Sequence, residues 1–142
     1  MLINEDLLEI KIFSGTGYIP LIDFNTWRVA LMRLCDDYLP QNIKTMACHE
    51  KTDEVFVLLQ GHCILVIGEG QADGITKVHA QAMKPCNLYN VKRGVWHSHI
   101  FDSDALVLIV ENQDTTDQNS RLMSLSDDQQ QQIVAMADVL WG

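Results

Sequence analysis

Basic residues are scarce in this sequence: Lys and Arg together number 10, against 19 Asp and Glu. The formal net charge is −9 and the isoelectric point is about 4.7. An acidic surface repels phosphate backbones and anionic headgroups, which argues against nucleic acid or a membrane as partner. Long apolar runs are lacking as well; none approaches the about twenty residues a spanning helix needs. The start, Met1-Leu2-Ile3-Asn4-Glu5-Asp6, is acidic and lacks the basic-then-apolar order of a secretion signal. Cys35, Cys48, Cys63 and Cys86 form no C-x-x-C pair and no zinc-finger spacing. They read as reduced thiols in a cytoplasmic protein, acting as small apolar groups. Repeats, linkers and low-complexity stretches are missing, apart from a short Gln129–Gln132 run.

What is present is a chain of 142 residues that is 47% hydrophobic, enough for one domain with a packed core. Short apolar, β-branched runs follow one another at close spacing. Trp27–Leu34 reads as a strand stopped by Asp36-Asp37 and Pro40. Glu54–Leu59 and His62–Ile67 read as a hairpin turning at Gln60-Gly61, with a stop at Gly68-Glu69-Gly70. Gln71-Ala72-Asp73-Gly74 reads as a second turn, and Ile75–Met83 as a weaker strand. Leu88–Val91, Val95–Phe101 and Ala105–Val110 complete the set. Many short strands with regular turns predict an all-β sandwich or barrel.

Only the C-terminal end has helical periodicity. Ser126 and Gln129 fit a capping box, and Ile133, Met136, Ala137, Leu140 and Trp141 then share one face. That stripe is expected to pack on the barrel or on a second subunit. The predicted organisation is a single domain over 1-142: an N-terminal arm over about 1-25, a barrel over about 26-112 and a helix over about 126-141.

Two segments carry candidate chemistry. In the first, His49 precedes Glu54 with four residues between, and Gly61 follows Glu54 with six between. The second reads Lys92-Arg93-Gly94-Val95-Trp96-His97. These segments resemble the two motifs of the cupin superfamily, over roughly the middle half of the chain. The first motif's leading histidine falls at Ala47, the second motif's proline at Lys92, and its later asparagine at Phe101. The resemblance implies a double-stranded β-helix, or jelly-roll barrel, with His49, Glu54 and His97 as a divalent-metal site.

Two imidazoles and a carboxylate form a facial set suited to Fe(II), Mn(II), Zn(II) or Ni(II), with open positions for water or substrate. His99 shares strand parity with His97, so it is a candidate to replace the missing histidine or to shuttle a proton. His97 and His99 are therefore the candidate catalytic pair. His62 and His79 lie outside both motifs and read as structural.

Tyr89-Asn90-Val91-Lys92-Arg93-Gly94-Val95-Trp96-His97-Ser98-His99 also resembles a stretch of the ureidoglycolate lyases. These are cupin-like enzymes that split a ureido group from a 2-hydroxy acid. That family tends to carry a proline near the paired histidines, where this chain has His99. The resemblance implies lyase or isomerase chemistry on a small polar acid or sugar. Arg28, Tyr89, Arg93 and Trp96 are the candidate substrate contacts, since an arginine can grip a carboxylate through two hydrogen bonds. Tyr18 is a further candidate to line a pocket. A non-catalytic, metal-free metabolite-binding cupin is the competing expectation, and a homodimer is expected because exposed strand edges and an apolar helix favour pairing.

Overall fold

In a computed structural model, the chain is described over residues 3–71 and 73–142. The elements are β1 (Gly17–Phe24), β2 (Trp27–Arg33), β3 (Thr45–His49), β4 (Glu54–Gln60), β5 (Cys63–Gln71), β6 (Gly74–Ala82), β7 (Tyr89–Val91), β8 (Trp96–Phe101), β9 (Leu106–Asn112), β10 (Ser120–Ser124) and α1 (Asp127–Trp141). The strands form two five-stranded sheets, ordered β1-β2-β9-β4-β7 and β10-β3-β8-β5-β6. All of their pairings are antiparallel. The result is a jelly-roll barrel with one C-terminal helix.

Alternation along each strand sorts side chains into two layers. Phe56, Leu58, Cys63, Leu65, Phe101, Val107 and Ile109 meet inside the barrel. Ile64, Val66, Val78 and Ile100 face the other way, onto Ile133 and Ala137 of α1. The run Cys63–Val66 is therefore buried at every position, because its sheet is covered on both faces. The helix begins as its sequence requires. Ser126 accepts from the Gln129 amide while the Gln129 side chain accepts from the Ser126 amide.

Three expectations are corrected. β4 and β5 are not a hairpin: β4 pairs with β7 and β9, and β5 with β6 and β8. Gly61 turns the chain from one sheet to the other. Its φ is +71°, and a Cβ there would lie 2.5 Å from the Ala105 amide nitrogen, so only glycine fits. Second, Gly68-Glu69-Gly70 is no turn. β5 runs through it with a register shift between Glu69 and Gly70. The expected turn at Gln71–Gly74 includes Ala72, which lies outside the described residues, while Gln71 and Gly74 pair. Third, residues 17–24, expected as arm, form β1 and pair with β2. The strand β10 was also absent from the strand pattern read along the sequence. Its Arg and two Ser residues hide the apolar signal.

Candidate metal centre and cavity

One end of the barrel opens into a cavity of about 600 Å³. His49 closes β3, Glu54 opens β4, His97 is the second residue of β8 and Glu111 lies near the end of β9. All four line this cavity.

A short hydrogen-bonded frame holds the entry to β4. The Asp53 carboxylate accepts from the Arg93 amide at 2.7 Å and from Asn90 Nδ2 at 3.1 Å. Those donors, the Arg93 amide first, hold the Asp53 carboxyl below the usual carboxylate range. Asn112 donates its amide to Thr52 Oγ1 and its side-chain Nδ2 to the Lys51 carbonyl, both at 3.1 Å. The Gly94 amide donates to the His49 carbonyl at 2.8 Å. Thus the loops before β4 and β8 and the end of β9 are tied together around Glu54.

The ring orientations follow from their partners. Ser120 Oγ donates its single hydrogen to the Thr116 carbonyl at 2.6 Å. It must then accept from His49 Nδ1, 2.7 Å away. His97 Nδ1 lies 3.1 Å from the Val95 carbonyl, which can only accept. Both imidazoles therefore carry hydrogen on Nδ1 and turn Nε2 inward. Glu54 Oε2 sits 2.8 Å from His49 Nε2 and 3.3 Å from His97 Nε2. Even so, Glu54 Oε2 is buried with no aligned hydrogen-bond partner. In their neutral form the imidazoles leave three acceptor atoms converging within 4.8 Å, and nothing donates to all of them. A divalent cation satisfies such a set; the donor types and the partners behind the two rings fit one.

The electrostatics separate two carboxylates. Burial alone would raise Glu54, but the adjacent His49 and His97 outweigh it and hold the acid at about 2. For His49 burial acts downward, and Glu54 more than offsets it, leaving the imidazole above its ordinary value. Burial and then the Glu54 charge push Glu111 up to about 7. The Tyr18 hydroxyl donates to Glu111 Oε1. Burial, with Glu111 behind it, lifts the Tyr18 phenol above its ordinary value.

His99 does not join the three-atom cluster. Its ring lies 4.4 Å from Phe56 and 5.9 Å from Phe101, centroid to centroid. Burial, followed by His97, pushes its pKa down to about 3, which holds it neutral near pH 7. Its Nε2 is buried without a hydrogen-bond partner, and the residue lines the cavity. The place of the absent motif histidine is Ala47, paired across the ladder with His97 and also on the cavity wall.

The other candidates scatter. Arg28 sits beside the mouth, but its guanidinium bonds Asp23 and the Thr115 carbonyl. Tyr89 Oη accepts from the Lys84 amide. Arg93 contributes its backbone to Asp53. Trp96 faces the helix layer, with the Arg121 guanidinium 5.5 Å from its ring centre. None of these four lines the cavity, whereas Tyr18 does. Sequence reasoning missed Glu111 and Ser120. Glu111 was visible in principle, since it occupies the buried parity of the otherwise apolar run Val107–Ile109–Glu111. Ser120 gave no local signal, because its role depends on a residue 71 positions away.

No family model matches the sequence, and no curated protein matches it. Among solved structures, oxalate decarboxylase from Lactobacillus farciminis in its formate complex is similar at 16% identity and TM-score 0.53, over 81% of this chain and 33% of that one. CapF with the inhibitor 3-isopropenyl-tropolone is similar at 10% identity and TM-score 0.53, over 78% of this chain and 33% of that one. A cupin-2 domain containing protein from Shewanella frigidimarina aligns at 16% identity and TM-score 0.49, over 70% of this chain and 84% of that one. This chain thus spans about a third of the first two. Among the described residues, no helix is long and apolar enough to cross a membrane. At these identities the likeness is one of fold, and with the two sheets and terminal helix it makes this chain a cupin-type jelly-roll barrel.

Proposed function

We propose that this protein binds a divalent metal ion through His49 Nε2, Glu54 Oε2 and His97 Nε2, and acts as a lyase or isomerase on a small polar acid or sugar. The observation that carries the reading is the buried convergence of three acceptor atoms, with both imidazoles oriented from behind. When bound, such an ion polarises a carbonyl or hydroxyl oxygen as a Lewis acid. The chain's own residues supply the rest. Glu111 lines the same cavity and is placed to exchange a proton with the bound molecule, while Tyr18 Oη orients that carboxyl. His99, held neutral by burial, lines the cavity wall beside His97. Phe56 and Ile109 give the cavity apolar wall. A cavity of about 600 Å³ accommodates a small metabolite.

Metal analysis of protein grown with Fe, Mn, Ni and Zn tests this directly. The expected result is about one ion per chain in the wild type, lost in His49→Ala and Glu54→Ala. A metal-free wild type would turn the reading to a non-catalytic binding module. Ureidoglycolate is the first substrate to try. Absence of glyoxylate release from the metal-loaded protein removes that substrate and leaves the metal site standing.

A further inference from the structure

The cavity around the proposed metal centre is short of positive charge. Among the described residues lining it, Lys44 is the single cation, and it is exposed. Among the same residues there is no arginine; Arg28, beside the mouth, is held by Asp23 and the Thr115 carbonyl. Carboxyl groups do line the cavity: Glu54, Glu111, Asp37 and Asp117. Asp37 comes from the segment between β2 and β3, and Asp117 from the turn between β9 and β10. Negative charge therefore enters from two separate loops. After burial and Glu54, Glu111 and Asp117 are the charges that act on His49.

This balance disfavours an acid. A divalent ion on His49, Glu54 and His97 adds positive charge. Glu54, Asp37 and Asp117 cancel that ion together with Lys44, and Glu111 can only add to the negative side. A carboxylate entering the cavity meets no net attraction, and burying it without a paired charge is costly. The chain as a whole, at −9, repels anions as well. Hydrogen bonding points the same way. Ionised carboxylates on the wall only accept, and so does a carboxylate ligand. A hydroxyl donates as well as accepts, so a polyol can satisfy this wall. An ammonium also donates, but an ion in the same cavity opposes it.

The rest of the polar wall is uncharged. Asn42, Thr45, Ser98 and Tyr38 all face the cavity. Tyr38 is half-buried, with its ring 5.0 Å from that of Phe101. Burial pushes its phenol up to about 12, so it is an uncharged donor at neutral pH. Glu54 Oε2, on a side chain 7% exposed, is an unpartnered acceptor in the same cavity. That orphaned atom marks the space as a ligand site and not a mere cleft between loops.

We propose, resting on the metal centre above, that this cavity takes a small neutral polyhydroxylated molecule, a sugar or a polyol, and that Asp37 and Asp117 exclude its carboxylate counterparts.

Calorimetric titration of the metal-loaded full chain with matched pairs tests the choice: glucose against gluconate, and glycerol against glycerate. Exposed charges are screened beyond about 10 Å at 0.1 M salt, so the titrations are run at low ionic strength. The neutral member of at least one pair is expected to bind with a Kd of about 1 millimolar or tighter, and about tenfold more tightly than its acid. Asp37→Asn with Asp117→Asn alters only exposed side chains, so the barrel folds. That variant is expected to shrink the preference to about threefold or less. Asp104→Asn with Asp138→Asn removes the same charge away from the cavity and is expected to keep the wild-type preference. An acid bound as tightly as its neutral partner overturns the proposal. So does a preference untouched in the Asp37 and Asp117 variant, glucosamine bound more tightly than glucose, or no binding of either neutral probe. Metal content separates this outcome from that of the metal centre. A chain that takes up no ion fails the metal-centre reading. The same pairs still decide the ligand class, because the cavity without an ion is more negative still.

Discussion

Glu54 and Glu111 stand at facing positions where β4 meets β9. The register that sets Val55 against Val110 brings the two buried carboxyls together at the cavity end of the ladder. Like charges opposed across a ladder destabilise it. The pair resolves this by asymmetry: Glu54 is charged beside two imidazoles, and Glu111 retains its proton toward neutrality beside Tyr18.

Glu111→Gln should therefore flatten the pH dependence of stability in metal-free protein. A carboxyl whose folded pKa is raised stabilises the fold below its unfolded value, near 4.5, and loses that contribution as pH rises through about 7. Urea unfolding with chelator present, at pH 5 and pH 8, reads the effect. Wild type should lose on the order of 2 kcal/mol more than the variant over this interval. Equal losses in both proteins would show that Glu111 ionises normally.

Ser120 acts on the proposed metal site through His49. Its hydroxyl receives the Nδ1 hydrogen and so keeps Nε2 free for a ligand. Ser120→Ala should weaken metal binding about 10- to 100-fold, measured by competition with a chromophoric chelator. Ser120→Thr preserves the hydroxyl and should restore most of the affinity. An unchanged affinity in the alanine variant contradicts the orienting role.

Phe56 links core and site. It is 1% exposed, and its ring lies 5.9 Å from His97 and 4.4 Å from His99. Phe56→Ala should cost about 3–5 kcal/mol by denaturant unfolding. Phe56→Leu should cost less while loosening both imidazoles, which histidine NMR line shapes would register.

Gly61→Ala tests the corner between the sheets. Its positive φ and the 2.5 Å approach to backbone leave no space for a methyl group. The substitution should cost more than about 1 kcal/mol, seen as a lower urea midpoint. A neutral result would mean that the corner relaxes freely.

The cupin-type barrel was largely legible in the chain, because short β-branched runs, turn residues and the Glu54-to-Gly61 spacing are local features. So were the capping box of α1 and the candidates His49, Glu54 and His97. Strand partnership was not. Gln60-Gly61 looks the same whether the chain turns back on itself or crosses to another sheet, and only the φ of Gly61 and the backbone packed against it decide.

By itself the sequence determined the fold type, the helix start and which side chains could bind a metal. The tertiary structure alone decided which of them converge. His99 shares parity with His97, yet the aromatic rings of Phe56 and Phe101 bury it outside the cluster and hold it neutral. Ser120 and Glu111 enter because β10 and β9 bring them beside His49 and Glu54 from far along the chain. Local pattern records which face a residue takes, but a site is a meeting of faces from distant strands, and that meeting is fixed only when the sheets pack.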